Sequence, residues 1–107
     1  MATGILGTPT DLSATTNTTI YTVPSDTFAI VTINITNRAT ATRDVRVALA
    51  SSASPTNGEY IEFDTELVAN GTLERSGVVI QAGKQVVVYA NSTDVSAMVY
   101  GIETATT

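Results

Sequence analysis

The run Phe28 to Arg38, FAIVTINITNR, places Ala29, Val31, Ile33 and Ile35 on one face of an extended chain and Thr32, Asn34 and Thr36 on the other. A period of two over that length describes a strand with one face on a core, and it excludes an amphipathic helix, whose apolar positions recur every three to four residues. The rest of the chain follows the same plan. Thr18 to Val23 reads as a shorter strand stopped by Pro24, and Pro24-Ser25-Asp26 turns the chain into the long one. Val45, Val47 and Leu49 point one way while Arg46 and Ala48 point the other, after a short polar loop from Ala39 to Thr42.

Ser51 to Gly58 contains Pro55 and the pair Asn57-Gly58, which break strands through their dihedral demands. Tyr60 to Asp64 alternates again, with Ile61 and Phe63 expected inward. Asn70-Gly71 marks a tight turn, Leu73 to Arg75 and Val78 to Ile80 read as edge segments, and Ala82-Gly83-Lys84 reverses the chain into Val86 to Ala90. The last strand is Val95 to Glu103, entered through Asn91-Ser92-Thr93-Asp94. About seven or eight strands at this spacing predict an all-β fold, a single antiparallel β-sandwich of jelly-roll or immunoglobulin-like topology. Residues 18–104 form the expected sandwich, 1–17 an extended N-terminal arm and 105–107 a C-terminal tail.

Threonine is abundant and β-branched, which suits a pleated, half-buried surface. Cysteine is absent, so apolar burial and sheet hydrogen bonds must carry stability. Five Lys and Arg stand against ten Asp and Glu, a net charge of −5, which disfavours nucleic acid and anionic membranes as partners. Met1 to Leu12 lacks the basic start and apolar stretch of a signal peptide, so a soluble protein made in the cytoplasm is expected.

Histidine is missing together with cysteine, which removes the usual general base, the usual thiol nucleophile and the commonest nitrogen ligand for metals. Lys84 is the one lysine and sits in a turn with no Ser-x-x-Lys pattern. No enzyme activity, cofactor, catalytic residue or metal site is therefore expected. Glu62, Asp64 and Glu66, at spacing i, i+2, i+4, should project from one face of a strand. Spread about 6 to 7 Å apart, they suit a solvated face, or docking or intersubunit pairing with Arg38, Arg46 or Arg75, better than calcium. Tyr21, Tyr60, Tyr89 and Tyr100 could stack on sugars, although aromatic residues in strands are more often core or cross-strand partners. Four Asn-x-Ser/Thr triplets, starting at Asn17, Asn34, Asn70 and Asn91, follow from the threonine-rich composition. The arm offers Met1, Ala2, Thr3, Ile5, Leu6 and Leu12 as protein-binding residues, because no core requires them.

The segments TTIYTVP (Thr18 to Pro24), FAIVTINITNR, YIEFDTEL (Tyr60 to Leu67), GVVIQAGKQVVVYA (Gly77 to Ala90) and VSAMVYGIE (Val95 to Glu103) resemble short virion structural proteins of tailed phages of the marine and cyanobacterial type. That resemblance implies a capsid decoration or cement protein. It would bind the major capsid protein on the outer capsid surface and copies of itself as a homotrimer. A tail, baseplate or fibre-attachment component and a host-surface glycan-binding module are the alternatives it leaves.

Overall fold

The strand expected from Phe28 to Arg38 forms as β3 (Thr27–Asn37), with Ala29, Val31, Ile33 and Ile35 buried. The computed structural model describes residues 2–106. Around β3 lie β1 (Thr3–Asp11), β2 (Thr18–Thr22), β4 (Arg43–Ala50), β5 (Tyr60–Leu67), β6 (Thr72–Ile80), β7 (Gln85–Ala90) and β8 (Val95–Ala105), with one turn of 3-10 helix at Asn57–Glu59. The strands form two antiparallel four-stranded sheets, ordered β1-β8-β3-β6 and β2-β7-β4-β5.

The ladders join β1 to β8, β2 to β7, β3 to β6 and β4 to β5. A long antiparallel hairpin with its tip between β4 and β5, wrapped into two layers, produces these pairs, and this is jelly-roll order. An antibody-type order would group the first, second, fourth and fifth strands in one sheet. Of the two topologies left open above, the wiring is therefore that of the jelly roll.

Inward residues of both sheets form one core, in which Val31, Ile33, Ile35 and Val99 meet Val45, Val47, Val86 and Val88. Each such side chain contributes about 1.5–3 kcal/mol relative to an exposed position. Shifts of register adjust which residues enter. In β2 the ladder slips between Thr19 and Tyr21, so both Ile20 and Tyr21 are buried. In β6, Val78 pairs with Val31 and Arg75 with Ile33, so Ser76 and Gly77 share a bulge opposite Thr32, with Gly77 at φ 69°. That bulge joins the two expected edge segments into one strand.

The arm expected over 1–17 is largely strand. β1 pairs with β8 from Thr3↔Ile102 to Asp11↔Ser96, Leu6 and Leu12 are core residues at 3% exposure, and the Leu12 N–H donates to the Val95 carbonyl at 2.8 Å. Alternation is hidden in this segment by Gly4, Gly7 and Pro9 and by a register shift between Leu6 and Thr10. At the other end β8 runs to Ala105, so the expected tail begins inside a strand.

Asn37 is the buried polar residue at the end of β3. Its Oδ1 accepts from the Ala39 N–H at 2.9 Å, and its Nδ2 donates to the carbonyls of Ala41, Leu67 and Val68 at 2.9, 3.1 and 3.0 Å. One amide thus ties backbone groups of the β3–β4 connection to the end of β5 and the turn that follows it.

Candidate functional site

The acidic strand does not present the expected row. In β5, Glu62 pairs with Val47 but Tyr60 with Ala48, and Thr65 pairs with Val45. Two bulges follow: Ile61 and Glu62 both turn towards the core side, and Phe63 and Asp64 both stand opposite Arg46 on the outer side, with Asp64 at φ 50°. Phe63 is consequently 56% exposed, which corrects its inward assignment, while Ile61 packs against the core as expected.

The three carboxylates are separated by this geometry. Glu62 forms an ion pair with Arg75 of β6 and accepts from the Thr65 hydroxyl at 2.7 Å. Asp64 receives the Arg46 guanidinium through Nε at 2.6 Å and Nη2 at 3.3 Å. That hydrogen bonding raises the Arg46 pKa above its ordinary value. The guanidinium also lies 4.2 Å from the Phe63 ring centre and 4.6 Å from that of Tyr89, so it is stacked as well as paired. Glu66 lies directly across the ladder from Asp44. Among the described residues no group of His, Cys, Asp and Glu side chains is arranged to hold a metal ion, and no helix is long and apolar enough to cross a membrane.

The arm residues divide between two roles. Met1 lies outside the described residues. The Ala2 N–H donates to Glu103 Oε1 at 3.2 Å, and its carbonyl accepts from the Glu103 N–H at 2.8 Å. Leu6 and Leu12 belong to the core, whereas Thr3 and Ile5 stand on the outer face of the β1-β8-β3-β6 sheet.

That outer face carries four of the six large apolar side chains exposed among the described residues. Val79 of β6 pairs with Ile30 of β3, and Ile30 pairs with Ile102 of β8, so the three side chains lie in one row across three strands. They are 62%, 39% and 46% exposed, and Ile5, one step along through its partner Tyr100, is 58% exposed. Beside the row the Tyr100 hydroxyl donates to Glu74 at 2.9 Å, and at the far end of the same face Arg38 pairs with Asp11 and donates to Ser96 Oγ at 2.7 Å. Further along, the β1 irregularity opens a shallow concavity of about 320 Å³ bordered by Pro9, Asp11, Asn34, Ser96 and Met98. Sequence reading missed this surface because Ile30 and Ile102 count as ordinary strand residues. The available signal was that each occupies the polar position of its own alternation.

The architecture defines a two-layer antiparallel β-sandwich with one apolar sheet face left open. The family model of the Trs120/TRAPPC9 fourth Ig-like domain matches residues 6–93, and the chain belongs to that family. The matched span takes in β2 to β7 and stops before β8. Sandwich architecture is shared across immunoglobulin-like domains without identical wiring, which accommodates the jelly-roll strand order here. No curated protein matches the chain.

This membership overturns the resemblance to phage virion proteins, and with it capsid decoration, the tail and glycan alternatives, the major capsid protein and a homotrimer as partners, and the outer capsid surface as location. The segments that suggested them are strand and turn signals. GVVIQAGKQVVVYA, for example, is the end of β6, a turn and β7. Such signals report a threonine- and valine-rich sandwich, whatever family it serves.

Proposed function

We propose that the chain is a non-enzymatic docking module whose outer β1-β8-β3-β6 face packs against a folded subunit of a trafficking complex. Family membership supports that setting, with the cytoplasmic trafficking machinery at the Golgi as the proposed location. The observation that carries the reading is the in-register apolar row Val79–Ile30–Ile102 with Ile5 beside it, on a face where Arg38 is already paired with Asp11. Contiguous exposed apolar surface of this kind marks interaction sites. Four strands at the usual spacing and the 11 residues of β3 give a face of about 700 Å², close to the roughly 800 Å² that each partner of a stable complex buries. The partner this fits is an uncharged, apolar protein face, since a charged one would lose hydration without compensation.

The test is calorimetric titration of the purified chain against the other subunits of the complex. The double variant Val79→Glu with Ile102→Glu is expected to bind at least about tenfold more weakly, while Val68→Glu, an exposed apolar site elsewhere, leaves affinity unchanged. Equal binding by wild type and the double variant would refute the proposal.

A further inference from the structure

The opposite outer face, on the β2-β7-β4-β5 sheet, holds an aromatic corner. The Tyr60 and Phe63 rings meet edge to face, 5.0 Å between centres at 81°, and with Asn57 they border an open concavity of about 470 Å³. Both walls are fixed from behind. Tyr60 packs over Ala48, Ala50 and Val87, small buried residues on the outer side of the sheet, and Phe63 is stacked on the Arg46 guanidinium that Asp64 holds. Asn57 is held near the corner by its helical turn, because the Glu59 carboxylate accepts from the Thr56 N–H at 2.9 Å and the Ser51 N–H at 3.2 Å and lies 3.6 Å from Lys84 Nζ.

Polar capacity at the corner is unused. Neither the Tyr60 hydroxyl nor the Asn57 amide has a hydrogen-bond partner among the described residues. Three residues beyond Phe63 on the same side, Glu66 faces Asp44 across the ladder, and neither carboxylate has a cation against it among the described residues. Like charges directly opposite one another destabilise a ladder, so a cation docking there is favoured.

We propose that this corner binds a proline-rich segment in polyproline II conformation, with Lys or Arg three positions from the proline that packs over the Tyr60–Phe63 corner beside Asn57. A proline ring lies flat on aromatic faces and brings no N–H to leave unsatisfied, while the free carbonyls of a polyproline helix accept from Tyr60 and Asn57. Spacing supports the basic residue. Three residues of polyproline II advance about 9 Å, while Phe63 to Glu66 spans two ladder steps, about 7 Å, because Phe63 and Asp64 both stand opposite Arg46, and the long Lys or Arg side chain covers the difference. The Asp44–Glu66 pair therefore receives a side chain on the same edge of the ligand helix as the anchoring proline.

The experiment is NMR titration of the whole chain with a ten-residue proline peptide carrying one arginine three positions after a central proline. A glycine-serine peptide with the same arginine serves as control. The proline peptide is expected to bind at least about tenfold tighter than the control and to shift Tyr60, Phe63 and Asn57 resonances. Phe63→Ala should weaken binding about tenfold, and the Asp44→Asn, Glu66→Gln pair should remove its salt dependence. Asn57→Ala, at an exposed position, provides a second loss-of-binding variant should Phe63→Ala fail to fold. Equal affinity for the two peptides, or shifts confined to the other sheet, would overturn the proposal.

Discussion

Arg75 of β6 and Glu62 of β5 form an ion pair that joins the open edges of the two sheets. Both residues point to the core side of their strands, at the margin where the sandwich would otherwise gape. The Arg75 side chain is 46% exposed, so solvent screens the pair and its coupling is modest. A double-mutant cycle with Arg75→Ala and Glu62→Gln, followed by urea unfolding, should give a coupling of about 0.5–1 kcal/mol that shrinks in high salt.

Asn37 carries more, because it is buried and fully satisfied. Asn37→Ala leaves the Ala39 N–H without this acceptor and takes a donor from the Ala41, Leu67 and Val68 carbonyls, of which Val68 keeps the Gly71 N–H, and should lower the unfolding free energy by about 3 kcal/mol. Asn37→Asp should be worse at neutral pH, since it aims a carboxylate at those carbonyls. Its deficit should narrow as acidification protonates the new side chain, which chemical denaturation at pH 4 and pH 7 would reveal.

The β1 segment is part of the fold, so removing residues 2–12 should leave a chain that melts much earlier or does not fold. A point substitution makes the same test. Gly7 sits at φ 68°, and a Cβ there would lie 2.0 Å from the Ile20 carbonyl oxygen. Gly7→Ala should therefore cost about 2–4 kcal/mol in urea unfolding, whereas Gly58→Ala, with open space around it, should change little.

At alkaline pH the sandwich should weaken through Tyr21. Its hydroxyl donates to Glu103 Oε2 at 2.5 Å, linking β2 to β8, and its pKa is raised first by burial, then by that hydrogen bond, then by the carboxylate charge. A folded pKa above the ordinary value near 10 means the native state holds its proton more tightly than the unfolded chain. The contribution is complete below pH 10 and is lost as pH rises towards the folded value. Stability of the wild type should fall above about pH 10, and Tyr21→Phe should flatten that decline in denaturation curves taken from pH 8 to pH 12.

How much of this was legible in the sequence depended on whether alternation survived locally. β3, β4, β7 and β8 keep their period of two and fall where the pattern puts them. β1 and β5 depart from that pattern at register shifts, which turn side chains to the opposite face until a second shift restores them, and in β1 Gly4, Gly7 and Pro9 hide the alternation as well. In β5 that shift moved Phe63 outward and divided Glu62 from Asp64 and Glu66; in β1 it concealed a core strand as an arm. The strand order could not be read at all, since it depends on pairings between segments far apart in the chain, such as β1 with β8. The docking face was hidden because whether Ile30 and Ile102 are covered is decided by what packs above the sheet.

The role of that face is tested most directly by methyl NMR of the chain during addition of its partner subunit. Broadening or displacement of the Ile5, Ile30, Val79 and Ile102 methyl signals is expected, with the core methyls of Ile33 and Ile35 unmoved. Saturated binding that leaves those four signals in place and perturbs another surface would contradict docking through the β1-β8-β3-β6 sheet.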